Sequence, residues 1–117
     1  MNLIDRLRER LVGYRITSRT AGSSERAYEQ FLEHVENVLQ EELKAACIEV
    51  NPGSDRCVWT TSLLDDRSSS HWVITESCHA ILMNGWHIHM RWIAGHSRKT
   101  PYTIAVRDVY ITKPGDG

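Results

Sequence analysis

The sequence predicts an α+β domain in which two N-terminal helices pack on one face of a four- or five-stranded antiparallel meander sheet. Apolar residues recur at helical spacing as far as residue 46, and β-rich alternating segments take over from residue 47. An Asn84-Gly85 hairpin signal joins the two longest of these segments. The 117 residues have the length of one domain. The helical part is expected over 1–46, the sheet over 47–112 and a frayed tail over 113–117.

The first helix is expected from residue 2 to about residue 15, because Leu3, Ile4, Leu7, Leu11 and Tyr14 fall on one face at steps of three and four. Asn2 is its expected N-cap. Thr17 to Ser24 breaks the pattern with Gly22 and hydroxyl residues and reads as a loop. Ser23 or Ser24 then caps a second helix, which carries Tyr28, Phe31, Leu32, Val35, Val38, Leu39 and Leu43 to about Ala46. Arginines dominate the first helix, whereas six Glu oppose only Arg26 and Lys44 between residues 25 and 44. That contrast predicts a helix pair with complementary flanks.

Cys47 to Val50 alternates as a strand would, and Asn51-Pro52-Gly53-Ser54 suits a type II turn. Further strands are expected over 56–63, 71–82, 86–94 and 101–112. Between them lie a polar loop at 64–70 and a basic one at 95–100. A two-residue Asn84-Gly85 turn would set Met83 opposite Trp86, Leu82 opposite His87, Ala80 opposite His89 and Cys78 opposite Arg91. Tyr102 and Tyr110 share parity on the last strand and are expected on one side of it.

The balance of 14 Lys+Arg against 15 Asp+Glu argues against a polycation that binds DNA by charge alone. No 18-residue apolar run suggests a membrane span. The N-terminus lacks the apolar core of an export signal, and the three cysteines show no CxxC spacing. A cytoplasmic protein with reduced thiols, and with no cofactor, is the expectation.

Five of the six His, and three of the four Trp, fall between residues 71 and 96. Strand parity assigns Val73, Thr75, Ser77, His79, Ile81, Met83, Trp86, Ile88, Met90 and Trp92 to the core side. The opposite face then carries Trp72, Ile74, Glu76, Cys78, Ala80, Leu82, His87, His89, Arg91 and Ile93. Two chemistries suit that second face. His87 and His89, with Cys78, supply imidazole and thiolate ligands for a zinc-like ion. Without a metal, His87, His89, Glu76 and Arg91 supply a base, an acid and a charge stabiliser for a hydrolase or nuclease.

His87-Ile88-His89-Met90 also resembles the His-hydrophobic-His motif of HUH endonucleases. Tyr110-Ile111-Thr112-Lys113 resembles the Tyr-x-x-Lys motif of the viral Rep branch of that family. The resemblance implies a divalent metal on the two His and attack on DNA by the Tyr. It covers eight residues, sets the Tyr on a predicted strand rather than a helix, and lacks the family's first strand motif.

Nucleic-acid binding would use Trp72, His87, His89 and Arg91 for stacking, with Arg98 and Lys99 in the adjacent loop. Protein binding accounts better for an outer face carrying Trp72, Ile74, Leu82 and Ile93, which is more apolar than a solvated sheet surface. Trp and Arg are also the residues that dominate interface energetics. The expected function is therefore a non-catalytic binding module of inhibitor, immunity or accessory-subunit type. Its sheet face engages a protein partner through Trp72, Ile74, His87, His89, Arg91, Arg98 and Lys99, and self-association as a homodimer is a related use. The alternative is a small His-dependent hydrolase or nuclease.

Overall fold

The computed structural model describes residues 2–50, 57–65 and 70–113. In chain order the elements are α1 (Leu3–Leu11), β1 (Arg15–Thr17), α2 (Ser18–Ala21), α3 (Ser24–Ala45), β2 (Cys57–Asp65), β3 (Ser70–Ile81), β4 (His87–Ser97) and β5 (Thr103–Thr112). The four long strands form the expected antiparallel meander. The three-residue β1 joins it beyond β5, giving the order β1-β5-β4-β3-β2. Helices on one face of an antiparallel sheet make this the α+β class that the sequence predicts.

The predicted caps are in place. Asn2 Oδ1 accepts from the Asp5 amide at 2.9 Å, and Ser23 Oγ accepts from the Arg26 amide at 3.1 Å. α1 nevertheless stops at Leu11, short of residue 15. Gly13 adopts φ 89° and donates its N–H to the Val106 carbonyl, and the Val106 N–H returns to the Tyr14 carbonyl. The chain therefore leaves the helix directly into the sheet edge as β1. The segment Thr17 to Ser24, expected as a loop, holds the single turn of α2, capped by Thr17 and closed by Gly22 at φ 100°.

The strand expected at Cys47 to Val50 does not form. Cys47 sits at φ 55°. Its N–H bonds the Lys44 carbonyl and that of Ile48 bonds the Leu43 carbonyl. This is the paired closure of a Schellman motif, with cysteine where glycine is usual. Only Val50 reaches the sheet, as a lone bridge to Leu82. The turn expected at 51–54, residues 66–69 of the polar loop and residues 114–117 of the tail lie outside the described residues.

One core lies between the layers. Leu7 and Leu11 of α1 and Phe31, Val35 and Leu39 of α3 meet Ile88, Met90 and Trp92 of β4 and Ile104, Val106 and Val109 of β5. Phe31 is wholly buried, between the rings of Tyr14 at 5.9 Å and Trp92 at 5.8 Å. Truncating such a ring to Ala costs about 3–5 kcal/mol. The complementary helix flanks do meet: Arg6 holds Glu42 with two hydrogen bonds, at 2.6 and 3.2 Å, and Arg10 bridges Glu42 and Glu41. Among the described residues no helix is long and apolar enough to cross a membrane.

Candidate functional site

The site face is set by the register of β3, β4 and β5, which differs from the expected one in three places. The connection between β3 and β4 is a three-residue loop rather than a two-residue turn. Gly85 takes φ 88° and donates to the Leu82 carbonyl, while the Leu82 N–H reaches Trp86. That is the type I turn with a left-handed glycine which three-residue hairpins favour. Ile81 therefore pairs with His87, and Ala80 with Ile88. Beyond them His79 forms a bulge, so that Cys78 pairs with His89 and Glu76 with Arg91.

The bulge corrects the assignment of faces near the hairpin. Ala80 and Leu82, expected outside, belong to the core, whereas Met83, expected inside, is exposed. Ile81, also expected in the core, is half-buried and pairs with His87. Farther along, Thr75 and Ser77 are buried on the helix side as expected. His79 turns toward that side too, its Nε2 lying 2.7 Å from Ser77 Oγ, which also accepts from Trp92 Nε1. A second irregularity, between Arg91 and Trp92, leaves Arg107 without a partner on β4 and shifts parity along β5. As a result Tyr102 and Tyr110 do not share a side. Tyr102 lies with Tyr28 near the start of α3, whereas Tyr110 pairs with His89 on the face away from the helices.

That face is organised in cross-strand rows. Cys57, Cys78, His89 and Tyr110 are successive α-carbon partners, followed by Thr60, Glu76, Arg91 and Asp108, and then by Ser62, Ile74, Ile93 and Ala105. Within the first two rows Glu76, Arg91 and Tyr110 bond one another. Arg91 Nε donates to Glu76 Oε1 at 2.7 Å, and the Tyr110 hydroxyl donates to Glu76 Oε2 at 3.3 Å. The Arg91 guanidinium lies 5.9 Å from the Tyr110 ring centre. His89 stacks on the same ring at 5.0 Å and 9°, and its Nε2 lies 2.9 Å from Thr112 Oγ1.

Electrostatics follow from this packing. Burial, reinforced by neighbouring His87, holds the His89 imidazole below the ordinary histidine range. Burial and the carboxylate of Glu76 push the Tyr110 phenol up, which keeps it a proton donor. The hydrogen bond to Glu76 raises Arg91. The cluster is therefore a closed, near-neutral network in which imidazole and guanidinium are already engaged.

The sequence-derived site residues all lie along this sheet, but they do not converge on one point. His87 and His89 stand at the hairpin end, where their ring centres are 5.8 Å apart. Glu76, Arg91, Ile74 and Ile93 occupy the middle rows. Trp72, paired with Gly95, and the exposed Arg98 and Lys99 lie at the far end, about 30 Å from His87 at the usual strand rise. Among the described residues no three His, Cys, Asp or Glu side chains form a group able to hold a metal ion, the set Cys78, His87 and His89 included. Thr112 and Asp108 were not expected here, and Tyr110 was expected beside the two histidines only through the HUH resemblance. Their alternation along β5 was the available signal, and the shift at Arg107 hides it.

No protein-family model, no curated protein and no solved structure matches this chain. The residue that the HUH resemblance would make the nucleophile, Tyr110, donates its hydroxyl proton to Glu76.

Proposed function

We propose that the chain is a non-catalytic binding module whose helix-free sheet face docks a protein partner. The observation that carries this reading is the state of the face: no described element covers it, and the Glu76–Arg91 ion pair at its centre is already formed. What it offers a partner is a patch whose central charges are paired. Half-buried Trp72, Ile74 and Ile93 flank the Glu76–Arg91 pair. Burying an ion pair that is already formed costs less than burying free charges. Four strands about 5 Å apart and some 35 Å long give a patch on the order of 500 Å². That approaches the roughly 800 Å² per partner of a standard interface. Near-neutrality favours protein over the phosphate backbone of a nucleic acid.

The alternative, a His-dependent hydrolase or nuclease, draws on the neutral His89 imidazole beside half-buried His87. Its Nε2, however, is occupied by Thr112.

The test is affinity capture from nuclease-treated lysate, followed by binding measurements with the purified partner. Trp72→Ala and Arg91→Ala are expected to weaken binding roughly 10-fold or more, as hot-spot truncations do. Glu29→Ala, on the helix layer, leaves it unchanged. Sheet-face variants that bind like the wild type would overturn the proposal. Phosphodiesterase activity abolished by the His87→Ala/His89→Ala pair would establish the alternative.

A further inference from the structure

A second histidine pair lies at the far end of the sheet, on the face opposite the proposed docking surface. His71 of β3 and His96 of β4 are direct cross-strand partners, and both are exposed. Their ring centres are 6.1 Å apart and their planes are inclined by 29°. By strand parity they share the side of Val73 and Ala94, but they lie beyond the part of the sheet that the helices cover. We propose that His71 and His96 form a two-imidazole chelate for a divalent transition-metal ion of the zinc, nickel or copper kind.

Directly opposed residues of antiparallel strands bring their β-carbons about 5 Å apart on one face, the spacing that lets two side chains share a ligand. Zinc–nitrogen bonds of about 2.0–2.1 Å at a tetrahedral angle place two imidazole centres roughly 5 Å apart. The observed spacing therefore needs to close by about 1 Å, which exposed side chains reach by small rotations.

The backbone beneath the pair is held in place. A β-carbon at Gly95 would lie 2.0 Å from the His71 carbonyl oxygen and 2.7 Å from the Trp72 α-carbon. A side chain at this position would collide with the β3 backbone, so Gly95 lets β4 pair with β3 directly beside the two imidazoles. Imidazole suits borderline metals, and the absence of carboxylates from the pair disfavours calcium or magnesium. Two protein ligands leave the remaining positions to water or to a group supplied by another molecule.

The test titrates Zn²⁺ into the full chain, following heat and the imidazole ¹⁵N resonances. One saturable event is expected, shifting His71 and His96 and raising the melting temperature, because the ion pins β3 to β4. His71→Asn and His96→Asn should each abolish it, while His87→Asn retains it; circular dichroism verifies the fold of each variant. The resonance shifts in the unmutated chain stand even if a variant misfolds. No saturable binding, binding that survives loss of either histidine, or shifts confined to His34, His79, His87 or His89 would overturn the assignment.

Discussion

Tyr110 of β5 reaches across the width of β4 to donate its hydroxyl proton to Glu76 on β3, with the Arg91 guanidinium lying between them. Three strands are thereby tied by one carboxylate, which accepts from Arg91 through one oxygen and from Tyr110 through the other.

Tyr110→Phe removes that donor and leaves the ring under His89. At 3.3 Å the bond is longer than the usual hydroxyl–carboxylate contact, and Arg91 still satisfies Glu76. A loss of about 1 kcal/mol is expected in urea denaturation. A loss above about 3 kcal/mol would mean that the Glu76–Arg91 pair depends on the phenol.

The depressed His89 makes a prediction about acid. The unfolded chain binds a proton near pH 6.5, whereas the folded chain resists it until lower pH. The stability contributed is therefore fully present above about pH 6.5 and is lost as pH falls through the lower folded value. His89→Gln keeps a hydrogen-bonding group toward Thr112 but cannot titrate. Its stability below about pH 6.5 should fall less steeply than that of the wild type, measured by denaturant midpoints across pH.

Glu42 is the buried anchor of the helix pair. Its hydrogen bond from Arg6 holds the carboxyl below the usual carboxylate range, against the opposing pull of burial and with further help from Arg10. This stabilisation is present above the unfolded carboxylate value near pH 4.3 and disappears as pH falls through the folded one. Glu42→Gln should lower the melting temperature by several degrees at neutral pH, and the gap to the wild type should close on acidification. Glu41→Gln, at a largely exposed partner of Arg10, should change little.

Cys47 holds a left-handed conformation without being glycine. Relief of the β-carbon clash outweighs the greater entropy of glycine in the unfolded chain, so Cys47→Gly should stabilise by about 0.5–1 kcal/mol. Thermal denaturation under reducing conditions measures it, and a destabilised variant would show that the thiol side chain contributes packing.

The legible parts of the structure are those governed by local chemistry. Asn2 and Ser23 announce helix starts because their side chains need only an amide three residues on. His87, His89 and Arg91 fall two residues apart, so strand geometry alone brings them toward one face. Bulges are different, because an inserted residue is decided by neighbouring strands and leaves no mark in alternation. His79 therefore inverted the expected side of Leu82, and Arg107 parted Tyr110 from Tyr102. Asn84-Gly85 correctly marked the hairpin, but Gly85 serves the longer loop, and the register moved by one residue accordingly.

The helices pack on β4 and β5 and adjoin β1, while among the described residues β2 is bonded to the sheet through β3 alone. Cohesion is thus graded across the molecule, and backbone amides should report the gradient by hydrogen exchange. Protons on β5 and the centre of β4 should leave only when the whole chain unfolds, whereas those of β2 should leave through openings that spare the helical side. A surface that begins at the tightly held strands and ends at the loosely held one can let a visitor settle at its weak margin without disturbing the strong one.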